Sequence, residues 1–257
     1  WMREYGYSFI GDEYYHRLGV WITNLRRVRE HNSKGSFQVS MGPFAHLTGA
    51  EYSYRLHMNP ENKIKPKYIQ VSTSSIKNDD GIDWRDYGVV ADIRDEGACK
   101  CGWAFAAVSA IEVAYAKQMG ELLELSEANL LDCVPYSDGC TEGTVDGALQ
   151  YVLSKQGGYI MNKADYPYKP SHSTCQFDQS KCTVKIDAFC TFGPADEYVL
   201  AKNVESMGPC ACIIDGDQWT FQMYSSGIYY EESCKREETN TWVNCVGFGT
   251  DDGKDFW

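Results

Sequence analysis

Two long stretches of the chain place apolar side chains at helical spacing. Between residues 9 and 32, apolar positions recur three and four apart, and Glu13 precedes Arg17 by one helical turn. From Trp103 onward, apolar and aromatic positions recur in the same way until Gly120, a residue suited to ending a helix. The pattern predicts one helix over 9–32 and a second, core-facing helix that begins near Trp103 and ends at Gly120.

Shorter periodic runs lie between these two helices. Alternation of apolar and polar residues over 36–41 predicts a strand. Thr48 and Glu51 have the spacing of a capping box, in which each side chain accepts a hydrogen bond from the other residue's backbone amide. We therefore predict that Thr48 caps a helix running to about Met58.

The second half of the chain changes from helical to strand-like spacing. The stretch 125–133, Leu-Ser-Glu-Ala-Asn-Leu-Leu-Asp-Cys, resembles a helix of the papain and cathepsin L family of cysteine proteases, which implies a helix capped by Ser126. In the last third, short apolar runs are separated by Gly and Pro, which is typical of strands in an antiparallel sheet. The runs lie at 210–214, 227–230 and 243–248.

Residues 59–80 show little periodicity. They contain two prolines and a Ser/Thr run, and they lead into Asn-Asp-Asp-Gly, a turn sequence. We interpret this stretch as a linker and place a domain boundary near residue 80. The expected organisation is a front domain with its linker at 1–80 and a main body at 81–257.

The charge is unevenly distributed between these two parts. The chain has 257 residues, 43% of them hydrophobic, and a formal charge of −12. Residues 1–80 contain 11 Lys and Arg against 8 Asp and Glu, which leaves a strongly acidic main body. This balance argues against nucleic-acid binding. No apolar run of about 18 residues and no signal-like start are present, so we expect no membrane span and place any targeting segment outside this sequence.

The chain contains 11 cysteines, too many for a typical reduced cytosolic domain. No Cys-x-x-Cys pair and no Cys/His group with zinc spacing occurs, so we expect neither a metal nor a cofactor. These features favour an oxidising compartment, either secreted or endolysosomal. Cys210 and Cys212 lie on one face of a predicted strand and cannot easily bond each other; the candidate partners are Cys182, Cys190 and Cys245.

The loop at 95–102 runs directly into the second long helix. The unpaired amides at a helix N-terminus favour a nearby anion, and they would lower the pKa of a thiol at residue 102. Residue 102 is a glycine, however, and glycine has no side chain that could attack a substrate. The loop therefore has the form of a catalytic loop at a helix N-terminus, but it lacks the nucleophilic side chain.

The stretch 95–105, Asp-Glu-Gly-Ala-Cys-Lys-Cys-Gly-Trp-Ala-Phe, resembles the papain and cathepsin L family of cysteine proteases. Family members carry Asp-Gln-Gly-x-Cys-Gly-Ser-Cys-Trp-Ala-Phe. The resemblance implies that Gly102 stands at the nucleophile position and Glu96 at the position of the oxyanion-hole glutamine. The stretch 240–249 resembles the strand of the family base, with Thr241 at the histidine position, roughly 140 residues after position 102. None of the five histidines lies beyond His172.

The front domain carries a second resemblance. Glu13, Arg17, Val20, Trp21, Asn24, Val28 and Asn32 follow the interspersed motif of the family prosegment. Residues 44–48 are similar to a second prosegment motif, with His46 in place of its aspartate. The resemblance implies an α+β, papain-like two-lobed fold, with a helical left lobe and an antiparallel β right lobe, preceded by a small helical inhibitory prosegment.

The resemblance also implies structural and channel residues. It pairs Cys99 with Cys140 and Cys133 with Cys175. Along the substrate channel, where Trp103 and Gly143 match the family, Lys100 and Glu142 replace glycines, and we expect these charged side chains to obstruct a peptide. The family's C-terminal segment, with its Asn-Ser-Trp-Gly motif and the partner of Cys234, falls beyond Trp257.

We interpret the chain as a non-catalytic papain-fold protein, or pseudoprotease, that acts by binding or regulation. One alternative is an inhibitor of active cathepsin-like proteases through the prosegment. Another is a residual cysteine endopeptidase that uses Cys101, although one residue along a helix rotates the side chain by about 100°. The expected partner is a protein or peptide ligand, and the sequence leaves the oligomeric state open.

Overall fold

A computed structural model describes residues 1–56, 81–135, 139–192, 197–235 and 238–257. The chain divides into two compact units, Trp1–His57 with Ile213–Thr241, and Met58–Cys212 with Trp242–Trp257. The linker predicted at 59–80 and the helix end predicted at Met58 lie outside the described residues.

Within the described ranges the chain forms helices and antiparallel sheets, which confirms the α+β class. The helices are α1 (Gly11–Asn32), α2 (Gly49–Leu56), α3 (Gly102–Met119), α4 (Glu127–Cys133), α5 (Val145–Lys155), α6 (Glu197–Met207) and α7 (Trp219–Gln222). The strands are β1 (Gln38–Val39), β2 (Ile82–Asp83), β3 (Tyr159–Ile160), β4 (Val184–Lys185), β5 (Cys210–Ile214), β6 (Tyr224–Ser226), β7 (Thr241–Cys245), β8 (Gly247–Asp251) and β9 (Lys254–Phe256). Among these strands, β1 pairs with β6, β8 lies between β2 and β9, β3 pairs with β4, and β5 pairs with β7.

In the first unit, two asparagines of α1 hold the segment that follows the helix. The Asn24 amide donates to the carbonyl of Ala45 at 2.9 Å, and its oxygen accepts from the Trp219 indole at 3.0 Å. Asn32 exchanges two hydrogen bonds with the backbone of Val39, at 2.9 and 3.0 Å. The asparagines of the prosegment motif therefore satisfy backbone groups that would otherwise be buried without partners.

The same unit contains the predicted capping box. The Thr48 amide donates to Glu51 Oε2 at 2.8 Å, and the Glu51 amide donates to Thr48 Oγ1 at 3.2 Å. Arg17 then pairs with Glu51 at 2.8 Å and with Glu13 at 2.6 Å. These contacts connect the start of α2 to the first half of α1.

The core of the second unit forms around α3. Trp103 and Leu130 are fully buried, and they pack in one cluster with residues of α4 and α5. α3 ends where predicted, because Gly120 takes the left-handed conformation with φ 73°. Ser126 caps α4 by accepting from the Asn129 amide at 2.9 Å, also as predicted.

A buried ion cluster lies beside this core. Arg94 contacts Glu112 at 2.7 Å and Glu127 at 2.7 Å, and both carboxylates are almost inaccessible to solvent. Glu112 also accepts from the Leu125 amide at 2.7 Å. Burial raises the pKa of Glu127, and the guanidinium of Arg94 opposes that shift. The cluster joins α3, α4 and the segment before the site loop.

Several predicted strands differ from those observed. The strand predicted over 36–41 is only Gln38–Val39, and the run at 227–230 is not a strand. Its place is taken by β6, which ends before Gly227, where a φ of 90° turns the chain. The run at 243–248 is divided between β7 and β8. The last third also contains α6 and α7, two helices that the strand-like spacing did not reveal.

Candidate active site

The site loop is a tight turn that ends at the first residue of α3. The Asp95 side chain accepts from the Gly97 amide at 2.7 Å, and Gly97 takes a φ of 64°. Cys101 is the N-terminal cap of α3 but supplies no side-chain hydrogen bond to the helix. α3 has 18 residues, and the amides at its N-terminus, around residues 101 and 102, donate no hydrogen bond to the side chain of the cap residue.

Gly102 has neighbours at ordinary van der Waals distances from where a Cβ would lie. A Cβ built at this position would lie 3.7 Å from Glu96 Oε2 and 3.9 Å from the Cβ and the carbonyl oxygen of Trp242. Positions 96 and 102 are therefore neighbours, together with the residue that follows Thr241. The space around Gly102 would accept a small side chain without displacing its surroundings.

Glu96 occupies the N-terminus of α3 directly. Its Oε2 accepts from the Cys101 amide at 2.6 Å. A carboxylate is favoured here because the amides and dipole of the helix carry partial positive charge. The chain therefore supplies an anion of its own at the first amides of α3, from the position that the family resemblance assigns to a glutamine.

Cys101 is a buried thiol rather than a surface nucleophile. It is 0% exposed, and its sulfur lies 3.2 Å from the hydroxyl of Tyr168. That hydroxyl donates to the backbone carbonyl of Glu96 at 2.7 Å. Burial is the main cause that raises the pKa of Cys101 to about 12; the Tyr168 hydrogen bond opposes it, and the negative charge of Glu96 adds to it.

The channel positions predicted from the sequence lie on two segments joined by a disulfide. Cys99 is bonded to Cys140, and the Lys100 amide donates to the Cys140 carbonyl at 2.9 Å. Lys100 and Glu142 are both half-buried. The second disulfide is Cys133–Cys175, so both observed pairs are those that the family resemblance implies.

Gly143 lies against the indole of Trp103. A Cβ at residue 143 would overlap ring atoms of Trp103, which is itself fully buried. A side chain at 143 is therefore excluded by packing, in contrast to position 102. The requirement for glycine at 143 follows from this close approach.

Thr241 begins β7 and belongs to the first unit. Its hydroxyl donates to Asn240 Oδ1 at 2.9 Å, and the same oxygen accepts from the Gly216 amide at 3.0 Å. A threonine hydroxyl does not accept a proton near neutral pH as an imidazole does. The geometry gives Thr241 a structural role at the start of the strand.

Two residues near the loop were missed by sequence reasoning. Tyr168 bridges Cys101 and Glu96, and Trp242 faces Gly102. Tyr168 stands in no periodic run or charge pattern, so the sequence carried no local signal for it. Trp242 lies within the stretch 240–249 that carries the family resemblance, but the resemblance assigned it no role. Across the described ranges, no group of three His, Cys, Asp or Glu side chains is arranged to hold a metal ion.

The fold and this loop define a class of protein. A family model described as papain family cysteine protease matches residues 79–257, and one described as cathepsin propeptide inhibitor domain (I29) matches residues 1–52. The chain belongs to the papain family of cysteine proteases, and its two matched regions are procathepsin L-like.

Individual relatives agree with this assignment. Testin-2 of Rattus norvegicus is 31% identical over 268 residues, which cover 100% of this chain and 80% of that protein. Procathepsin L of Felis catus is 30% identical over 268 residues, with the same coverage. Digestive procathepsin L2 proteinase from Tenebrio molitor has a TM-score of 0.91 and 28% identity, covering 100% of this chain and 85% of that structure. The fold is therefore a papain-like procathepsin fold.

The disulfides and the similarity to cathepsin proenzymes favour a secreted or lysosomal compartment. None of the helices in the described part of the chain is both long and apolar enough to cross a membrane.

Proposed function

We propose that this chain is a papain-fold pseudoprotease, which binds or regulates other molecules and does not cleave peptides. The observation that carries the proposal is that residue 102 is a glycine and has no side chain. This residue begins α3 beside Glu96 and Trp242, where the family places its nucleophilic cysteine. Without a thiol at that point, no covalent acyl-enzyme can form there.

Two further positions support the same function. Glu96 places a carboxylate on the Cys101 amide, where the family uses the neutral amide of a glutamine. Thr241 takes the place of the base and carries a hydroxyl that donates to Asn240. Nucleophile, oxyanion donor and base are thus replaced together, so reversing one change leaves the other two.

A displaced nucleophile at Cys101 is a weaker candidate. A reactive cysteine needs an accessible thiolate. The Cys101 thiol is fully buried, and its pKa is raised to about 12, so almost none of it is ionised between pH 5 and 8. The hydroxyl of Tyr168 is its close side-chain neighbour, and burial also raises the pKa of that hydroxyl, so it is no general base at neutral pH.

Alkylation tests the Cys101 alternative directly. Native protein is treated with iodoacetamide at pH 8, and each cysteine is then quantified by peptide mass spectrometry. We expect the exposed Cys190 to be modified quickly and Cys101 only after denaturation. Rapid native modification of Cys101 would favour the displaced nucleophile.

The peptidase assay tests the main proposal. The full chain is incubated with fluorogenic peptides and a reductant at pH 5 and pH 7, alongside the Cys101→Ser variant. We expect no turnover from either protein. Turnover that disappears in Cys101→Ser would contradict the pseudoprotease function, whereas turnover that survives in Cys101→Ser identifies a contaminating protease.

A second candidate function is inhibition of active cathepsin-like proteases. It is favoured by the match of residues 1–52 to the cathepsin propeptide inhibitor domain. We place this prosegment and its linker at 1–80 and the papain-like body at 81–257. A body that cannot cleave the prosegment would present it permanently.

Titration of the full chain into an active cathepsin L-type enzyme separates this candidate from general binding. Inhibition that weakens when Asn24 and Asn32 are both replaced by Ala would support a role of the prosegment, because these side chains hold its backbone. No inhibition at micromolar protein leaves a different protein or peptide ligand as the partner. A pull-down with the full chain from a secreted or lysosomal fraction then identifies it.

A further inference from the structure

Three thiols form a cluster on β5 and β7, away from the site loop. The sulfurs of Cys210 and Cys212 are 3.6 Å apart, and each of these two side chains hydrogen-bonds with Cys245. All three residues are half-buried, and none is in a disulfide in the structure. The two established disulfides lie on other segments.

Strand geometry decides which of these thiols can bond. Residues two apart on one strand, such as Cys210 and Cys212, have Cα atoms separated by about 6.6–6.8 Å, at the far limit for a disulfide. Residues facing each other across a strand pair are about 4.5–5.5 Å apart, well within the favoured range. Cys245 lies on the paired strand and contacts both thiols, so a cysteine of β5 bonds Cys245 more readily than it bonds the other cysteine of its own strand.

The pairing of the two strands keeps Cys245 beside Cys210 and Cys212. At one end of the pair, the Asn240 amide donates to the Ile214 carbonyl at 2.9 Å. At the other end, Cys245 contacts both thiols of β5. Because the chain numbers increase in opposite directions along the pair, β5 and β7 run antiparallel.

Cys245 is also the member of the cluster best prepared to react. Hydrogen bonds from the thiols of Cys210 and Cys212 lower the pKa of Cys245, because they stabilise its thiolate. The thiolate is the form that attacks a disulfide. The same hydrogen bonds, together with burial, raise the pKa of Cys210.

We propose that Cys245 forms a third disulfide across β5 and β7, bonding either Cys210 or Cys212, and that the remaining thiol exchanges with it. The oxidant is a low-molecular-mass disulfide of the glutathione type. The Cys245 thiolate attacks it and releases one thiol; the Cys210 thiolate then attacks the Cys245 sulfur of the mixed disulfide and releases the second. Two protein thiols are oxidised, and one disulfide is reduced to two thiols.

Exchange between the two forms needs no further oxidant. The Cys212 thiolate attacks the Cys245 sulfur, the Cys210–Cys245 bond breaks, and the proton lost by Cys212 passes to the released Cys210 thiolate. One S–S bond is broken for each one formed. The chain thus keeps one cross-link and one free thiol in this cluster, with two ways to distribute them.

Disulfide mapping of the full chain tests the proposal. The protein is equilibrated with oxidised and reduced glutathione, alkylated and digested without reduction. We expect two fewer free thiols than the seven of the protein that contains only the Cys99–Cys140 and Cys133–Cys175 disulfides. We also expect a peptide containing Cys245 linked to the peptide containing Cys210 and Cys212. Complete alkylation of Cys245, or its bonding to Cys182, Cys190 or Cys234, would overturn the proposal.

Single substitutions test the exchange. Cys210→Ser and Cys212→Ser should each retain a disulfide to Cys245, whereas the double variant should leave Cys245 alkylated. Cys190→Ser, an exposed cysteine elsewhere, should leave the map unchanged. Loss of the Cys245 disulfide in either single variant would disprove exchange. The Cys99–Cys140 and Cys133–Cys175 pairs, read from the same digests, report whether each variant folds, and the wild-type map stands without any variant.

Discussion

The N-terminus of α3 has room for a Cβ at Gly102. Gly102 would accept a Cβ at ordinary contact distances, the nearest atom being Glu96 Oε2 at 3.7 Å. A cysteine there would be near the amides of α3, which favour a thiolate, but also near a carboxylate, which opposes one. The chemistry of position 102 therefore depends on the residue at position 96.

Introducing a cysteine at 102 and a histidine at 241 should not be enough for catalysis. We expect Gly102→Cys with Thr241→His to give little or no peptide hydrolysis, because Glu96 would repel a developing oxyanion. Adding Glu96→Gln should raise any activity measurably, since losing one oxyanion donor costs about 10²–10³ in rate in other hydrolases. The measurement is kcat/KM with a fluorogenic peptide.

The control for this series is the same triple variant with Gly102→Ser, which carries no thiol. Equal and measurable activity of the double and triple cysteine variants, above that of the serine control, would show that position 96 does not face the reacting group.

Glycines 102 and 143 differ in what surrounds them. Gly143→Ala should lower the free energy of unfolding by about 1–3 kcal/mol, because its Cβ would overlap the indole of buried Trp103. Gly102→Ala is the matched control in the same unit and should change stability by less than about 0.5 kcal/mol. Urea unfolding followed by fluorescence measures both variants. Equal midpoints for the two would contradict the packing argument at Gly143.

At the scale of the element, the buried ion cluster connects α3 and α4. Arg94→Met should destabilise the second unit by about 3–5 kcal/mol, because Glu112 and Glu127 would be left as buried carboxylates without their cation. The exposed pair Lys185–Asp187 gives the control. Lys185→Met should cost less than about 1 kcal/mol. Thermal or urea unfolding distinguishes the two, and a small loss for Arg94→Met would mean that water reaches the carboxylates.

Elements specified by local chemistry could be predicted from the sequence. The capping box at Thr48, the serine cap of α4 and the glycine end of α3 each depend on residues within one turn of one another. β6 and α7 could not be predicted in this way. The strands β1 and β6 are short, and they pair although they lie far apart in the sequence. Their limits therefore depend on long-range contacts, which the local spacing of apolar residues does not predict.

The candidate site shows the same difference between features that the sequence predicts and features that depend on contacts between distant residues. The family resemblance singles out positions 96 and 102 and implies the two disulfide pairs. The structure confirms both disulfides and brings Glu96 beside Gly102, whereas the roles of these two residues stay a prediction. The burial of Cys101 beneath Tyr168 could not be predicted, because the two residues are 67 positions apart and no periodic pattern relates them. Likewise, the sequence indicated that Cys210 and Cys212 share a face, but it did not distinguish Cys245 from Cys182 and Cys190 as the residue that contacts them.

At the scale of the whole molecule, the prosegment and the body should remain one chain. Removal of a prosegment by its own body requires a working nucleophile, and we propose that none is present. We expect intact mass spectrometry of the purified protein to show a single chain after days at pH 4–5, where charge contacts of Asp and Glu weaken as the carboxylates gain protons.

An added active protease is the positive control, since it should cut at accessible segments. Cleavage within 59–80 in a pure sample, resistant to inhibitors of other protease classes, would contradict the proposed loss of activity.

The hydrogen bond from the Cys101 amide to Glu96 also determines how tightly a separate anionic ligand must bind to displace Glu96. The carboxylate is attached only five residues away, so its effective concentration at the amide is on the order of millimolar or higher. A free carboxylate, such as the C-terminus of a peptide, must outcompete this tethered group before it can occupy the helix terminus. Because Glu96 is part of the same chain, its carboxylate holds the N-terminus of α3 against free anions. Ligands without a negative charge do not compete with Glu96 for these amides and are therefore favoured.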